Sequence, residues 1–220
     1  MFNIAIDGPA GAGKSSIAKA VSGVLGFIYV DTGALYRAIG LYALRKNTDT
    51  KDTEKVENLL TDIEVDLKFI DGNQRVFLNG EDVSEEIRLP EASMAASNVS
   101  AIPAVRSYLF ELQRKIAKEN NCIMDGRDIG TVVLPDADLK IFLTASPEVR
   151  AKRRYDELTA KGSKVEYDDV LSDLNARDYQ DTHREVAPLI PADDAIVLDT
   201  TDMTFEQVET KIKSLTEERL

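Results

Sequence analysis

The chain holds a single cysteine, Cys122, so no internal disulfide can form. It also holds a single histidine, His183, with nothing nearby that resembles a catalytic triad or a metal set. A solvated helix position is the expectation for it. No apolar run approaches the roughly 20 residues that span a bilayer. A strand pattern begins at Phe2, which leaves no room for a secretory leader. A cytoplasmic setting is therefore expected. Basic residues are the minority: 27 Lys and Arg against 39 Asp and Glu give a formal net charge of -12. That balance argues against nucleic acid and anionic membranes as partners. A phosphorylated small molecule stays open, because a few clustered arginines make a positive pocket in an acidic protein. Internal repeats and low-complexity tracts are absent. No long exposed apolar stripe demands a partner, so a monomer is expected.

What is present is an ordinary globular composition, 220 residues with 43% hydrophobic and 30% charged. That length suits one good core, or one core with a small appendage. "FNIAID" (2–7) reads as a buried strand and "KSSIAKAVSGVLG" (14–26) as a helix. Ile17, Val21, Val24 and Leu25 form its expected apolar face, and Gly26 its stop. "FIYVD" (27–31) is a second strand and "ALYRAIGLYALR" (34–45) a second helix. The alternation predicts a parallel sheet covered by helices. Residues 63–83 instead alternate apolar and polar, punctuated by "DGNQ" and "NG" turns, and predict a small antiparallel insertion. A helix from Pro103 to about 119 follows, with Val105, Leu109, Leu112 and Ile116 at core spacing. "CIMD" (122–125), "LKIFLT" (139–144) and "AIVLD" (195–199) complete five core strands. Helices are expected over 146–162 and 168–184, and a last one after a Thr204–Gln207 capping box.

The segment from Gly8 to Ser15 fits G-x-x-x-x-G-K-[ST] at every fixed position, with a strand before it and a helix after it. Glycines let successive amides turn inward around an anion, and the helix adds its positive end. Lys14 can reach β- and γ-phosphates, and Ser15 can offer a hydroxyl oxygen to Mg²⁺. Asp125 ends an apolar strand, where a carboxylate can hold the hydration shell of that ion. Cys122 lies inside the same strand and reads as a small core hydrophobe. Arg37, Arg106, Arg127, Arg150, Arg153, Arg154, Arg177 and Arg184 lie beside the expected sheet ends or on charged helices. Phosphoryl transfer is mostly alignment and charge neutralisation, work that guanidinium forks perform. Solvated helix faces are the competing explanation for any one of them.

Taken together, "IDGPAGAGKSS", "DTGALYR", "GEDVSEEIR", "ASNVSAIPAVR", "DGRDIGTVV" and "REVAPL" resemble the bacterial cytidylate kinases, in that family's order and spacing, over nearly the whole chain. The resemblance implies transfer of the ATP γ-phosphate to CMP or dCMP, with Mg²⁺. It implies an α/β fold: a P-loop nucleoside monophosphate kinase core over 1–62 and 84–220, built on a five-stranded parallel sheet flanked by helices. Residues 63–83 would be the insertion of the long form, bordering the monophosphate site, and about 146–166 the helical lid. ATP would lie on Gly8, Pro9, Ala10, Gly11, Ala12, Gly13, Lys14, Ser15 and Ser16. Ala10 stands where many relatives carry Ser, so no hydrogen bond is assigned to its side chain. Thr32, Tyr36, Arg37, Ser97, Arg106, Gly126, Arg127, Asp128, Arg177, Asp181 and Arg184 would bind the acceptor. Within that set Ser97, Arg106 and Asp128 face cytosine, and Arg37, Arg127 and Arg184 grip its phosphate. Asp181 and Arg177 address the sugar and nearby phosphate oxygens. Lys14, Arg127, Arg153, Arg154 and Arg184 would be catalytic, and Arg150 would join Arg153 and Arg154 over ATP. Ser15 and, through water, Asp125 would hold the metal, with Asp31 behind them. Alternatives are another acceptor specificity, such as adenylate or UMP kinase, or a P-loop hydrolytic switch or binding module. "DGRDIG" differs from the adenylate kinase pattern DG-aromatic-Pro-Arg, and no Asn-Lys-x-Asp string of a GTPase occurs.

Overall fold

The computed structural model describes residues 1–70 and 72–220; Asp71, the first residue of the expected "DGNQ" turn, lies outside the described residues. From the N-terminus the elements are β1 (Asn3–Asp7), α1 (Lys14–Leu25), β2 (Ile28–Asp31), α2 (Thr32–Arg45) and α3 (Thr53–Leu59). Next come β3 (Val65–Ile70), β4 (Asn73–Leu78), β5 (Glu81–Asp82), α4 (Pro90–Val99) and α5 (Pro103–Glu119). Then follow β6 (Cys122–Gly126), a π-helical turn (Ile129–Val133), β7 (Leu139–Thr144), α6 (Pro147–Ala160), α7 (Tyr167–His183), β8 (Ile196–Asp199) and α8 (Phe205–Glu217). Local chemistry sets most boundaries. Pro103 and Pro147 occupy first helical turns, where a missing N–H costs nothing. Ser146 accepts the amide of Val149, and Thr204 and Gln207 form the expected capping box.

Five strands form the main sheet in the order β2-β6-β1-β7-β8. β1 is central and runs parallel to both β6 and β7, with Asp7 level with Gly126 on one side and Phe142 on the other. β8 extends the sheet in parallel beyond β7. Parallel strands are covered on both faces, which explains their nearly unbroken apolar runs. Ile4, Ala5, Ile6, Ile123, Met124, Ile141 and Leu143 are buried there. Ligands of such sheets bind beyond the strands' carboxyl ends. The loops after β1, β6 and β7 therefore matter most.

Two compact units divide the chain, Met1 with Ile28–Asn120 and Phe2–Phe27 with Asn121–Leu220. In the unit that starts at Phe2, α1 packs on β1, β6 and α8, and α6 packs on α7. Its buried stripe on α1 is Ile17, Ala18, Val21 and Ser22. Val24, expected on that face, is 54% exposed, because α1 turns Ser22 rather than Val24 toward its neighbours. In the unit that holds Ile28–Asn120, α2 and α4 pack closely over a core that includes Leu35, Ile39, Val76, Val99, Val105 and Leu109. A Cβ on Gly40 would come within 2.8 Å of the Cβ of Ala95, so the approach of α2 to α4 requires glycine there. The expected antiparallel insertion is a three-stranded sheet, β3-β4-β5. α3 and α4 were not anticipated, since one offers a single buried residue, Val56, and the other buries mainly alanines. His183 ends α7 in an exposed position, stacked on Tyr179. Among the described residues no helix is long and apolar enough to cross a membrane.

Cys122 is fully buried in β6, its thiol donating to Asn3 Oδ1 at 3.1 Å, and burial pushes it up to about 12. Thiolate, the reactive form, is then negligible at pH 8. The native protein should give no reaction with a disulfide-exchange reagent at that pH, and one equivalent after unfolding in denaturant. One equivalent of fast reaction in the native state would contradict this placement.

Candidate active site

The loop after β1 has the backbone of an anion nest. Gly8, Gly11 and Gly13 have φ of 147°, 75° and 89°. A Cβ at Gly8 would lie 2.0 Å from the carbonyl oxygen of Leu143, so only glycine passes the end of β7. Gly13 precedes α1 without a side-chain cap, and the first turn of α1 carries no acidic residue. The amides and positive pole at this helix start are thus left for an external anion. Lys14 is buried, and its ammonium donates to the carbonyl of Pro9 at 2.8 Å, bridging the loop. Burial, and next the charge of Arg127, lower Lys14 to about 7 against the opposing pull of Asp125. Ser15 Oγ donates to Asp125 Oδ2 at 2.7 Å, joining the start of α1 to the end of β6.

The loop after β6 and the end of α7 form a second charged cluster in the same unit. Arg127 Nε donates to Asp181 Oδ2 at 2.8 Å, and its NH1 donates to the carbonyl of Gly126 at 3.2 Å. Burial alone would raise Asp181, but Arg127, Arg177 and Arg184 hold its carboxyl below the usual range. Arg184 lies 3.7 Å from Asp128, and its Nε donates to the carbonyl of Ala187 at 2.6 Å. Asp128 and Asp181 are both buried. Lys14 feels both Arg127 and Arg177, so several cations share a poorly solvated region that polyanions would stabilise.

Sequence reasoning missed Asp7. It is buried at the end of β1 and accepts the amides of Ile129 and Gly130 at 2.8 and 2.7 Å. Burial pushes its carboxyl up to about 6. The only signal for it was an acidic residue closing the apolar run "FNIAI", which reads as a plain strand end.

The other expected acceptor residues lie in the unit that holds Ile28–Asn120. Thr32, Tyr36 and Arg37 are on α2, Ser97 on α4 and Arg106 on α5. Arg106 is buried, donates to the carbonyl of Ser100 at 3.3 Å, and lies 5.8 and 5.9 Å from the rings of Tyr36 and Phe110. Asp31 was expected behind a metal. Its carboxylate accepts the amide of Ala34 at 3.0 Å as the N-cap of α2 and pairs with Arg37 at 2.6 Å.

The arginines of α6 separate into different environments. Arg150 was expected over ATP, but it is buried and donates to the carbonyls of Ala10 and Ala145, both at 2.9 Å. It also pairs with Asp178 at 2.6 Å. A guanidinium with its donors committed in this way fastens α6 and α7 to the phosphate loop. Arg153 donates to the hydroxyl and carbonyl of Thr200 at 3.1 and 2.8 Å. Arg154 pairs at the surface with Glu157 at 2.8 Å. Neither bonds to the phosphate loop among the described residues.

Three comparisons bear on this arrangement. The sequence model of the family described as cytidylate kinase matches residues 4–218. A cytidylate kinase from Caldicellulosiruptor bescii is 53% identical over 214 residues, 97% of this chain and 95% of that protein. One from Caldanaerobacter subterraneus subsp. tengcongensis is 54% identical over 209 residues, 95% and 92% of the two chains. One from Lactobacillus johnsonii is 48% identical over 219 residues, 100% and 95% of the two chains. Among solved structures, an uncharacterized protein from Eubacterium ventriosum covers 100% of both chains with a TM-score of 0.53 at 13% identity, a likeness of fold alone.

Two outcomes follow from the geometry. Arg150→Met leaves Asp178 without its cation and two carbonyls without a donor, so it should cost about 3 kcal/mol. A urea titration checks this, and a midpoint unchanged from the parent would contradict the anchoring role. At pH 8, Lys14 near 7 is mostly neutral, whereas a polyphosphate beside it favours the charged form. ADP binding at pH 8 should then take up roughly one proton. The slope of calorimetric enthalpy against buffer ionisation enthalpy measures it, and Lys14→Met should abolish that uptake.

Proposed function

The chain belongs to the cytidylate kinase family, and from that premise we propose that it transfers the terminal phosphoryl group of ATP to CMP or dCMP, giving ADP and CDP or dCDP. One observation carries the reading: a buried phosphate-loop lysine adjoins a guanidinium cluster, Arg127, Arg177 and Arg184, gathered around Asp181. Two adjoining anion sites are what transfer between two phosphorylated molecules needs. The amides of Gly11, Gly13 and the first turn of α1, with Lys14, hold the donor triphosphate. Arg127 and Arg184 hold the acceptor phosphate, Arg37 is assigned to the same group, and Arg177 and Asp181 address the sugar and nearby phosphate oxygens. Lys14, Arg127 and Arg184 neutralise charge as the phosphoryl group moves.

A magnesium ion fits the residues present, because the Ser15 hydroxyl and Asp125 carboxylate are hard oxygen donors already brought together at 2.7 Å. Bound there, the ion would supply charge neutralisation on the phosphate oxygens. Ser15 would hold it directly and Asp125 through its water. Arg153 and Arg154 are assigned to the triphosphate when the lid, about 146–166, closes. Since Arg150 fastens the first turn of α6 to Ala10, the moving part begins beyond it. Residues 63–83 are assigned to the border of the acceptor site. A monomer working in the cytoplasm, apart from nucleic acid and membrane, accords with the net charge of -12.

Base choice follows from hydrogen-bond polarity. Cytosine presents an N4 amine, which suits the acceptor-only carboxylate of Asp128, and N3 and O2 acceptors, which suit Arg106 and Ser97. Uracil reverses the first two groups and leaves buried partners unpaired. ADP release should therefore depend on CMP or dCMP, with kcat/KM about 100-fold above that for UMP, AMP or GMP. Asp128→Ala should shrink the CMP-to-UMP ratio at least tenfold or so. ADP release at one rate with every acceptor and with none would overturn the kinase reading.

A further inference from the structure

Asp7 performs none of the steps above, yet it is buried and its carboxylate is fully engaged with two backbone amides. Those amides open the π-helical turn Ile129–Val133. The first amides of any helical turn lack internal partners, and a side chain at the position just before the turn commonly satisfies them. Here that position is Asp128, a residue type well suited to the task, but its side chain makes no capping bond. The cap comes instead from a residue 122 and 123 positions away in the chain. Asp7 itself is held rigidly, since β1 is paired on both sides and Asp7 lies level with Gly126 and Phe142.

We propose that Asp7 is a positioning residue for the acceptor: by capping the turn in place of Asp128, it fixes how Arg127 and Asp128 leave β6. The inference rests on the kinase reading for its substrate. Its structural half, a cap supplied from β1, does not. The same strand end runs directly into Gly8, so one residue ties the origin of the phosphate loop to the acceptor loop. π-Helical turns are rare and occur mostly at functional sites, which accords with a segment held in this form by an outside carboxylate.

Asp7→Asn tests the idea, because an amide offers one oxygen and turns an NH₂ against the second backbone amide. The KM for CMP should rise about tenfold, several-fold more than the KM for ATP, which Asp7 reaches only through its charge acting on Lys14. The CMP-to-UMP ratio in kcat/KM should fall, since Asp128 is then drawn back to cap its own turn. Hydrogen exchange of the Ile129 and Gly130 amides should accelerate about 100-fold. A purely structural role would instead lower the folded fraction and leave both KM values alone.

Gly130→Ala approaches the clamp from the other side, because its Cβ would lie 3.2 Å from Lys140 Cδ and 3.4 Å from Asp7 Oδ2. The lysine stem can yield, so this variant should fold and show the same pattern at about threefold. It decides the matter if Asp7→Asn does not fold. Unchanged acceptor KM and unchanged amide exchange in the folded variant overturn the proposal, as does an equal rise in both KM values. A parent that does not phosphorylate CMP would sink the kinase reading instead, and exchange at Ile129 and Gly130 would still judge the cap.

Discussion

An ammonium group withdrawn from water beside two guanidinium groups is costly, and the candidate site is organised around that arrangement. Lys14 is 6% exposed, lies against the carbonyl of Pro9, and is disfavoured in its charged form by burial, Arg127 and Arg177. Asp125 and Asp7 offset only part of that cost. In a region of low effective dielectric, such strain favours whatever brings negative charge. A triphosphate would do so, and it would also meet the positive end of α1. Affinity for the ligand and discomfort of the protein by itself are two views of the same electrostatics.

Holding cations together against repulsion needs a stiff frame. The central strand β1 supplies it, paired in parallel on both sides. Gly8 passes under the carbonyl of Leu143 where no other residue fits. Arg150 reaches from α6 to the carbonyl of Ala10 and is itself paired with Asp178 of α7. Asp181 holds Arg127. The acidic residues within this unit thus act less as catalysts than as restraints on basic ones, which reconciles a net charge of -12 with a locally positive site.

Much of this was legible in the chain. The strands at 3–7, 122–126 and 139–144 announce themselves because burial on both faces forces uninterrupted apolar runs. The phosphate loop is legible because its chemistry depends on backbone shape, and backbone shape there depends on glycine at fixed intervals. α5 was legible from Pro103 and a long apolar stripe. α4 was not, because a helix that packs through Ala92, Ala95 and Ala96 carries little hydrophobic contrast. Val24 was misplaced for a related reason: periodicity names the candidates for a buried face but not its edges.

The site divides along the same line. Lys14, Ser15 and the glycines around them belong to one short segment, so their placement together follows from spacing that the sequence by itself determined. The five strands and the acidic character of the chain were likewise settled there. Only the tertiary structure decided that Arg150 is a buried anchor, that Asp31 caps α2 and holds Arg37, and that Asp7 caps a turn more than a hundred residues away. The reason is physical. A side chain's role depends on burial and on the partner it meets, and for Asp7, and for Arg150 apart from Asp178, the partners are backbone groups, which carry no residue-specific mark in a sequence.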